Sequence, residues 1–198
     1  MSWTASERFE ARPAPGGLAL VQELVNTHAT GGGGVDLLAD PVTAEQWAQA
    51  AADQWAAVHG LQPPTLSLTP AGLRSLRELR DELHTMLDVP PDQRLSGPLQ
   101  VDSVVPRADA QLGSDAQGRV MMIPRGTGAD WLVSAVWSEI LIAQLDSTWK
   151  RVKLCREQGC RSAFYDASRN SSAVWHNVRT CGNIANLRAS RARRRSAD

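Results

Sequence analysis

All three cysteines of this 198-residue chain fall in its last fifty residues, with one of its four histidines. The set runs Cys155, Cys160, His176, Cys181, spaced C-x4-C, fifteen residues, H-x4-C. Two pairs of soft ligands at knuckle-like spacing suit tetrahedral zinc, which takes thiolate and imidazole and uses four protein ligands when structural. The competing reading makes Cys155 and Cys160 ordinary buried thiols and His176 a hydrogen-bonded core histidine. A piece this short buries too little apolar surface to fold alone, so a single Zn2+ with no open coordination position is the expected staple.

Behind the last cysteine come Arg188, Arg191, Arg193, Arg194 and Arg195. The zero net charge hides a division: residues 1–149 hold 9 basic and 18 acidic side chains, and residues 150–198 hold 12 and 3. An acidic body with a basic terminal module is the footprint of a polyanion binder. Two alternatives are a solvated arginine tail and a basic module docked on its own acidic body.

No run of eighteen apolar residues is present, so no membrane span is expected. Residues 1–15 carry acidic residues and prolines where a signal peptide needs basic residues and an apolar run. Metal-ligand spacing and an odd cysteine count argue against disulfides, and a cytoplasmic location, nucleoid-associated, is expected. The G-x-S-x-G, G-x-G-x-x-G and H-E-x-x-H signatures are missing, so the chain is not expected to be an enzyme.

The pattern predicts an α+β chain: a mainly helical N-terminal domain with a small β-hairpin, then a treble-clef-like finger ending in a basic helix. Residues 1–17 read as a flexible arm, 18–148 as a sensor or dimerisation domain, 149–198 as the finger. Leu18, Val21, Leu24 and Val25 share one helix face, and Gly31–Gly34 reads as a flexible loop. Thr43 with Gln46 forms a capping-box signature for a helix carrying Trp47 and Trp55 and ending at Gly60. Thr69 and Pro70 start another, with Leu73, Leu76, Leu79, Leu83 and Leu87 as its buried stripe, Arg80 and a solvated His84 outside it, and Pro90–Pro91 as its stop. Alternation at Leu99, Val101, Ser103 and Val105, then Arg119–Ile123, predicts a hairpin with Ala108–Gly118 as its loop. A helix over Ala129–Leu145 follows.

Within the finger, Gly159 is expected to give the knuckle a left-handed or tight turn, and Phe164, Tyr165 and Trp175 to form a mini-core around the metal. Cys181 sits where the last helix begins.

The stretch 155–195 resembles the CGNR zinc finger. Cys181-Gly182-Asn183-Ile184 stands at the naming tetrapeptide, supported by the C-x4-C pair, Phe164-Tyr165-Asp166, Ser168-Arg169-Asn170, Trp175 before a ligand and the R-x-R-R-R ending. Pro15-Gly16-Gly17-Leu18, Leu24-Val25-Asn26-Thr27 and Leu37-Leu38-Ala39-Asp40 are similar to the ABATE domain that accompanies it. His176 replaces the family's usual cysteine, and Ile184 its arginine. The resemblance implies a bacterial, stress-linked, DNA-binding transcription regulator. Its expected DNA contacts are Arg169, Asn183, Asn186, Arg188, Arg191 and Arg194, with Arg193 and Arg195 on phosphates. One finger has a small footprint, so a homodimer or an RNA polymerase or regulator partner is expected. The alternative is a finger that grips a protein or RNA without reading DNA sequence.

Overall fold

A computed structural model describes residues 2–31, 33–94 and 108–195. Its element order is α1 (Thr4–Glu7), α2 (Leu18–Val25), α3 (Pro41–His59), α4 (Pro70–Asp88), β1 (Ala110–Ser114), β2 (Val120–Pro124), α5 (Ala129–Leu145), β3 (Val152–Leu154), β4 (Ala163–Tyr165) and α6 (Asn183–Arg195). A 3-10 turn (Trp149–Arg151) precedes β3, and a π-helical turn (Val178–Gly182) runs into α6. Two antiparallel two-stranded sheets pair β1 with β2 and β3 with β4. This is an α+β fold.

Helix α2 is the centre of the molecule. Every residue from Leu18 to Val25 is buried, and α3, α4 and α5 pack around it. Its apolar face is the one the sequence shows, but Gln22, Glu23 and Asn26 are buried too. Glu23 accepts hydrogen bonds from the Ala5 and Ser6 amides (2.6 and 2.9 Å) and from the Trp47 indole (3.2 Å). Gln22 accepts from the Ala14 amide and donates to the Arg12 carbonyl. These bonds, with burial of Trp3, Ala5, Phe9, Ala11 and Ala14, hold residues 3–14 against the body where a flexible arm was expected. Buried polar groups need partners, and this segment supplies them.

Three local expectations change. Helix α3 is capped by Asp40, whose carboxylate accepts from the Thr43 amide, with Pro41 in the first turn; the cap lies three residues earlier than Thr43, where an acidic side chain meets the helix dipole. In α4, Thr69 caps as expected, at 3.0 Å from the Gly72 amide, and the leucine stripe is buried. Arg80 is buried as well, paired with Asp36 at 2.7 Å. His84 is half-buried against His28, ring centroids 5.1 Å apart. Burial first, then the neighbouring His28, lower its pKa to about 4.

The hairpin also differs. Its strands are Ala110–Ser114 and Val120–Pro124, paired from Ala110↔Pro124 to Ser114↔Val120, so the first strand lies inside the stretch expected to be loop. The Asp115 side chain closes the turn by accepting from the Gln117 and Arg119 amides. The alternating stretch Leu99–Val105 lies outside the described residues.

The β3–β4 hairpin is built into the main core. Trp149, Val152, Leu154 and Ala163 belong to the same buried cluster as α2, α4 and α5. Asn26 reads the β4 backbone like a neighbouring strand, accepting from the Ala163 amide (2.7 Å) and donating to its carbonyl (3.0 Å).

Candidate metal centre and nucleic-acid interface

Strand β3 delivers Cys155, the knuckle turns to Cys160, and β4 returns the chain; the loop after β4 brings His176, and the π-helical turn brings Cys181. One ligand atom from each of Cys155, Cys160, His176 and Cys181 lies within 4.8 Å of all the others. His176 Nδ1 is 3.4 Å from Cys160 Sγ and 3.7 Å from Cys181 Sγ. Zn–S bonds of about 2.3 Å and Zn–N of about 2.0–2.1 Å, at tetrahedral angles, place sulfur and nitrogen about 3.6 Å apart. Cys155 and Cys181 are buried, Cys160 and His176 half-buried. The donor set and its spacing fit one structural zinc.

The three thiols bear on one another's ionisation. Cys160 is held well below the usual thiol range, first by a hydrogen bond from Cys155 and then, against burial, by bonds with His176 and Ser162. Cys155 is pushed up, by its bond to Cys160 and then by burial, and Cys181 is pushed up by burial and the Cys160 charge. Three thiolates this close repel each other unless a cation sits among them, and Zn2+ supplies that charge.

The N-terminal half grips the knuckle from behind. His28 has Nδ1 at 2.8 Å from the Val25 carbonyl and Nε2 at 3.1 Å from the carbonyl of Cys160. Phe9 stacks on His28 (5.0 Å) and meets the His176 ring edge-on (6.5 Å). A side chain at Gly31 would put its Cβ 2.4 Å from the Gly159 carbonyl oxygen. The glycine loop is therefore a docking point, and its glycine is required by close approach. Gly159 has no positive φ; Arg161, after the second cysteine, takes the left-handed conformation at φ 55°.

Two carboxylates organise the finger, and only one had a signal in the sequence. Asp166 accepts from Lys153 Nζ (2.7 Å), the Ser168 amide and hydroxyl (2.9 and 2.6 Å) and the Ala173 amide (2.8 Å). Burial pushes its carboxyl up, but Lys153 and these donors outweigh it and bring it down to about 2. Its place beside Phe164-Tyr165 and Ser168 was the available clue. Glu157, buried in the knuckle, pairs with Arg188 of α6. Phe164 is buried, but Tyr165 packs against the main core and Trp175 is half-buried, stacked close to Gly182. Of the three, Phe164 is buried outside the main cluster.

The expected DNA-contact residues divide by position. Asn183, Asn186, Arg191, Arg193, Arg194 and Arg195 are exposed on α6, and Arg169 is exposed on the loop after β4. Asn183 donates to the Arg179 carbonyl at 2.7 Å, and Arg188 is tied back to Glu157. Ile184 is 43 % exposed and lines a cleft beside His176 and Cys181.

Residues 151–194 match the family model of the CGNR zinc finger. Residues 18–145 match that of ABATE, described as "Putative stress-induced transcription regulator". The chain belongs to the ABATE family. Its ABATE segment supplies α2–α5 and the β1–β2 hairpin, and its CGNR finger supplies the Cys3His centre and α6. The family description is that of a regulator rather than an enzyme. No curated protein matches the chain. No helix among the described residues is long and apolar enough to cross a membrane.

Proposed function

We propose that this ABATE–CGNR chain is a zinc-dependent, stress-responsive transcription regulator that binds DNA through α6. One observation carries the reading: the helix starts two residues after the last zinc ligand and displays Arg191, Arg193, Arg194 and Arg195 to solvent. A metal that fixes Cys181 fixes the pitch of that rod.

Asn186 and Arg191 are suited to base edges, asparagine to adenine and arginine to guanine. Arg169, Arg193, Arg194 and Arg195 are suited to phosphates, which dominate affinity and make it salt-sensitive. Arg188 braces α6 on the knuckle through Glu157 and offers its remaining N–H groups, while Asn183 is partly engaged with the π-helical turn before α6. A single finger covers little DNA, so a homodimer is the expected binding form. The location implied is the cytoplasm, with association to the nucleoid.

A second reading has an observation behind it. Val178, Ile184 and Leu187 are 64, 43 and 57 % exposed along the same turn and helix, which favours a protein partner such as polymerase on part of this surface. Duplex binding across a salt series separates the two. The DNA reading expects log affinity to fall with log salt, and Arg193→Ala/Arg194→Ala to reduce the slope by about 2, near one unit for each arginine withdrawn from the phosphates. A flat salt response, or a variant indistinguishable from wild type, rejects DNA binding by α6.

A further inference from the structure

A cleft of about 550 Å³, lined by none of the metal ligands and by no residue of α6, lies between the end of α4 with its Pro90–Pro91 turn and the finger residues that flank Cys155 and Cys160. Ligand sites for small molecules run from about 300 to 1,000 Å³. Its walls are mixed. Leu87, Val89, Pro90, Leu154 and Val174 supply apolar surface, while five basic side chains, Arg94, Lys150, Lys153, Arg156 and Arg161, face two carboxylates among the described residues, Asp88 and Asp92.

The balance between those charges decides what the cleft takes. Lys153 is matched by Asp166 behind the wall, at 2.7 Å, and Arg161 by Asp88, at 2.5 Å. Arg94 has its three guanidinium nitrogens on the carbonyls of Leu87, Val89 and Val152 and lies over the Trp149 ring at 5.8 Å from its centroid. Those partners satisfy its N–H groups without neutralising its charge, and burial lowers its pKa to about 10. Lys150 and Arg156 are exposed and form no ion pair among the described residues. Among the described residues, three cations without a carboxylate partner therefore meet one unpaired carboxylate, Asp92, beside an apolar wall.

We propose that this cleft binds a small organic anion, a carboxylate or phosphate on an apolar body. Lys150 and Arg156 would take the acidic group over the Arg94 charge, and the body would lie against Val89, Pro90 and Val174. Such a ligand would touch the ABATE segment and the finger at once. The loop it contacts, residues 171–174, leads directly to the ligand His176. Differential contact with two segments is what a signal needs if it is to bias their relative arrangement. The proposal does not depend on α6 binding DNA, so the two stand or fall separately.

Calorimetric titration of the zinc-loaded full chain with phenyl phosphate, benzoate, inorganic phosphate and benzyl alcohol tests it. Phenyl phosphate or benzoate is expected to bind saturably at about 1 mM or tighter, with inorganic phosphate weaker and benzyl alcohol silent. Lys150→Glu/Arg156→Glu is expected to weaken binding at least about tenfold, about 1.4 kcal/mol, at unchanged zinc content, and Arg191→Ala/Arg194→Ala to leave it unchanged. Val89→Trp, which fills the apolar side, is expected to block it and serves if the charge reversal disturbs the fold. The proposal is overturned if neither organic anion binds, if inorganic phosphate binds as well as phenyl phosphate, or if the Lys150/Arg156 variant binds normally. It is also overturned if that variant loses duplex affinity while no small anion binds, which would make the cleft part of a DNA surface.

Discussion

Asp166 ties β3 to the loop that leads to His176, accepting from Lys153, Ser168 and Ala173. It sits 1 % exposed with Lys153 as its charge partner, and removing one member of a buried pair leaves the other uncompensated. Asp166→Ala is expected to destabilise the chain by about 3–5 kcal/mol, read by denaturant melts of the zinc-loaded protein. The pH dependence follows from the direction of the shift. The folded carboxyl titrates at about 2 against an ordinary 3.8, so its stabilisation is complete above about pH 4 and disappears as pH falls through about 2, a loss of about 2 kcal/mol. Asp166→Asn is expected to be less stable at neutral pH and to lack that acid-side loss. Because metal release at low pH affects both proteins, the difference between their stability curves isolates the carboxylate; parallel curves contradict the assignment.

Among the elements, the junction between α2 and the knuckle is the one whose role is least like its sequence. Groups that orient ligands from the next layer out typically change metal affinity by about 10–100-fold when removed. His28→Ala is expected to weaken zinc binding by about tenfold, measured by competition with a chelating dye. Gly31→Val, whose Cβ meets the Gly159 carbonyl, is expected to do the same by displacing the knuckle; wild-type affinity in both variants would mean the junction is passive. Two residues before the end of α2, Glu23→Ala removes the acceptor for three donors, and residues 3–14 are expected to become susceptible to limited proteolysis. Apolar spacing made α2, α4 and α5 legible because their core stripes repeat at helical period, and the ligand quartet was legible because metal spacing is itself a motif. The packed N-terminal segment was not, since its anchors Gln22 and Glu23 are polar residues that periodicity assigns to solvent. Nor was the close approach at Gly31, because sequence distinguishes a glycine needed for close approach from one that merely bends only when its neighbour across the fold is known. The hairpin failed for a related reason: alternation fixes which face a residue takes, while an Asp115-closed turn fixes which residues pair.

At the scale of the whole molecule, the finger is half fused and half metal-held. The β3–β4 strands share the ABATE core, whereas the segment from His176 into α6 meets the N-terminal residues by the Phe9–His176 ring contact and the Asn177–Glu10 hydrogen bond, and is tied to the knuckle by the metal centre and the Arg188–Glu157 pair. Chelation is therefore expected to leave amide protection in β3, β4 and the helical core and to abolish it in 178–195, followed by hydrogen exchange. Loss of protection throughout the chain would show that the two halves do not differ in this way. The charge division has the same architecture: the acidic body carries the core, and the exposed arginines project from a rod whose direction the zinc sets. Duplex affinity at one fixed salt concentration, compared for the zinc-loaded, chelator-stripped and zinc-restored protein, tests that central claim most directly. Stripping is expected to cost at least about tenfold in affinity, about 1.4 kcal/mol, with full recovery on one equivalent of zinc. Equal affinity in all three states would contradict the claim.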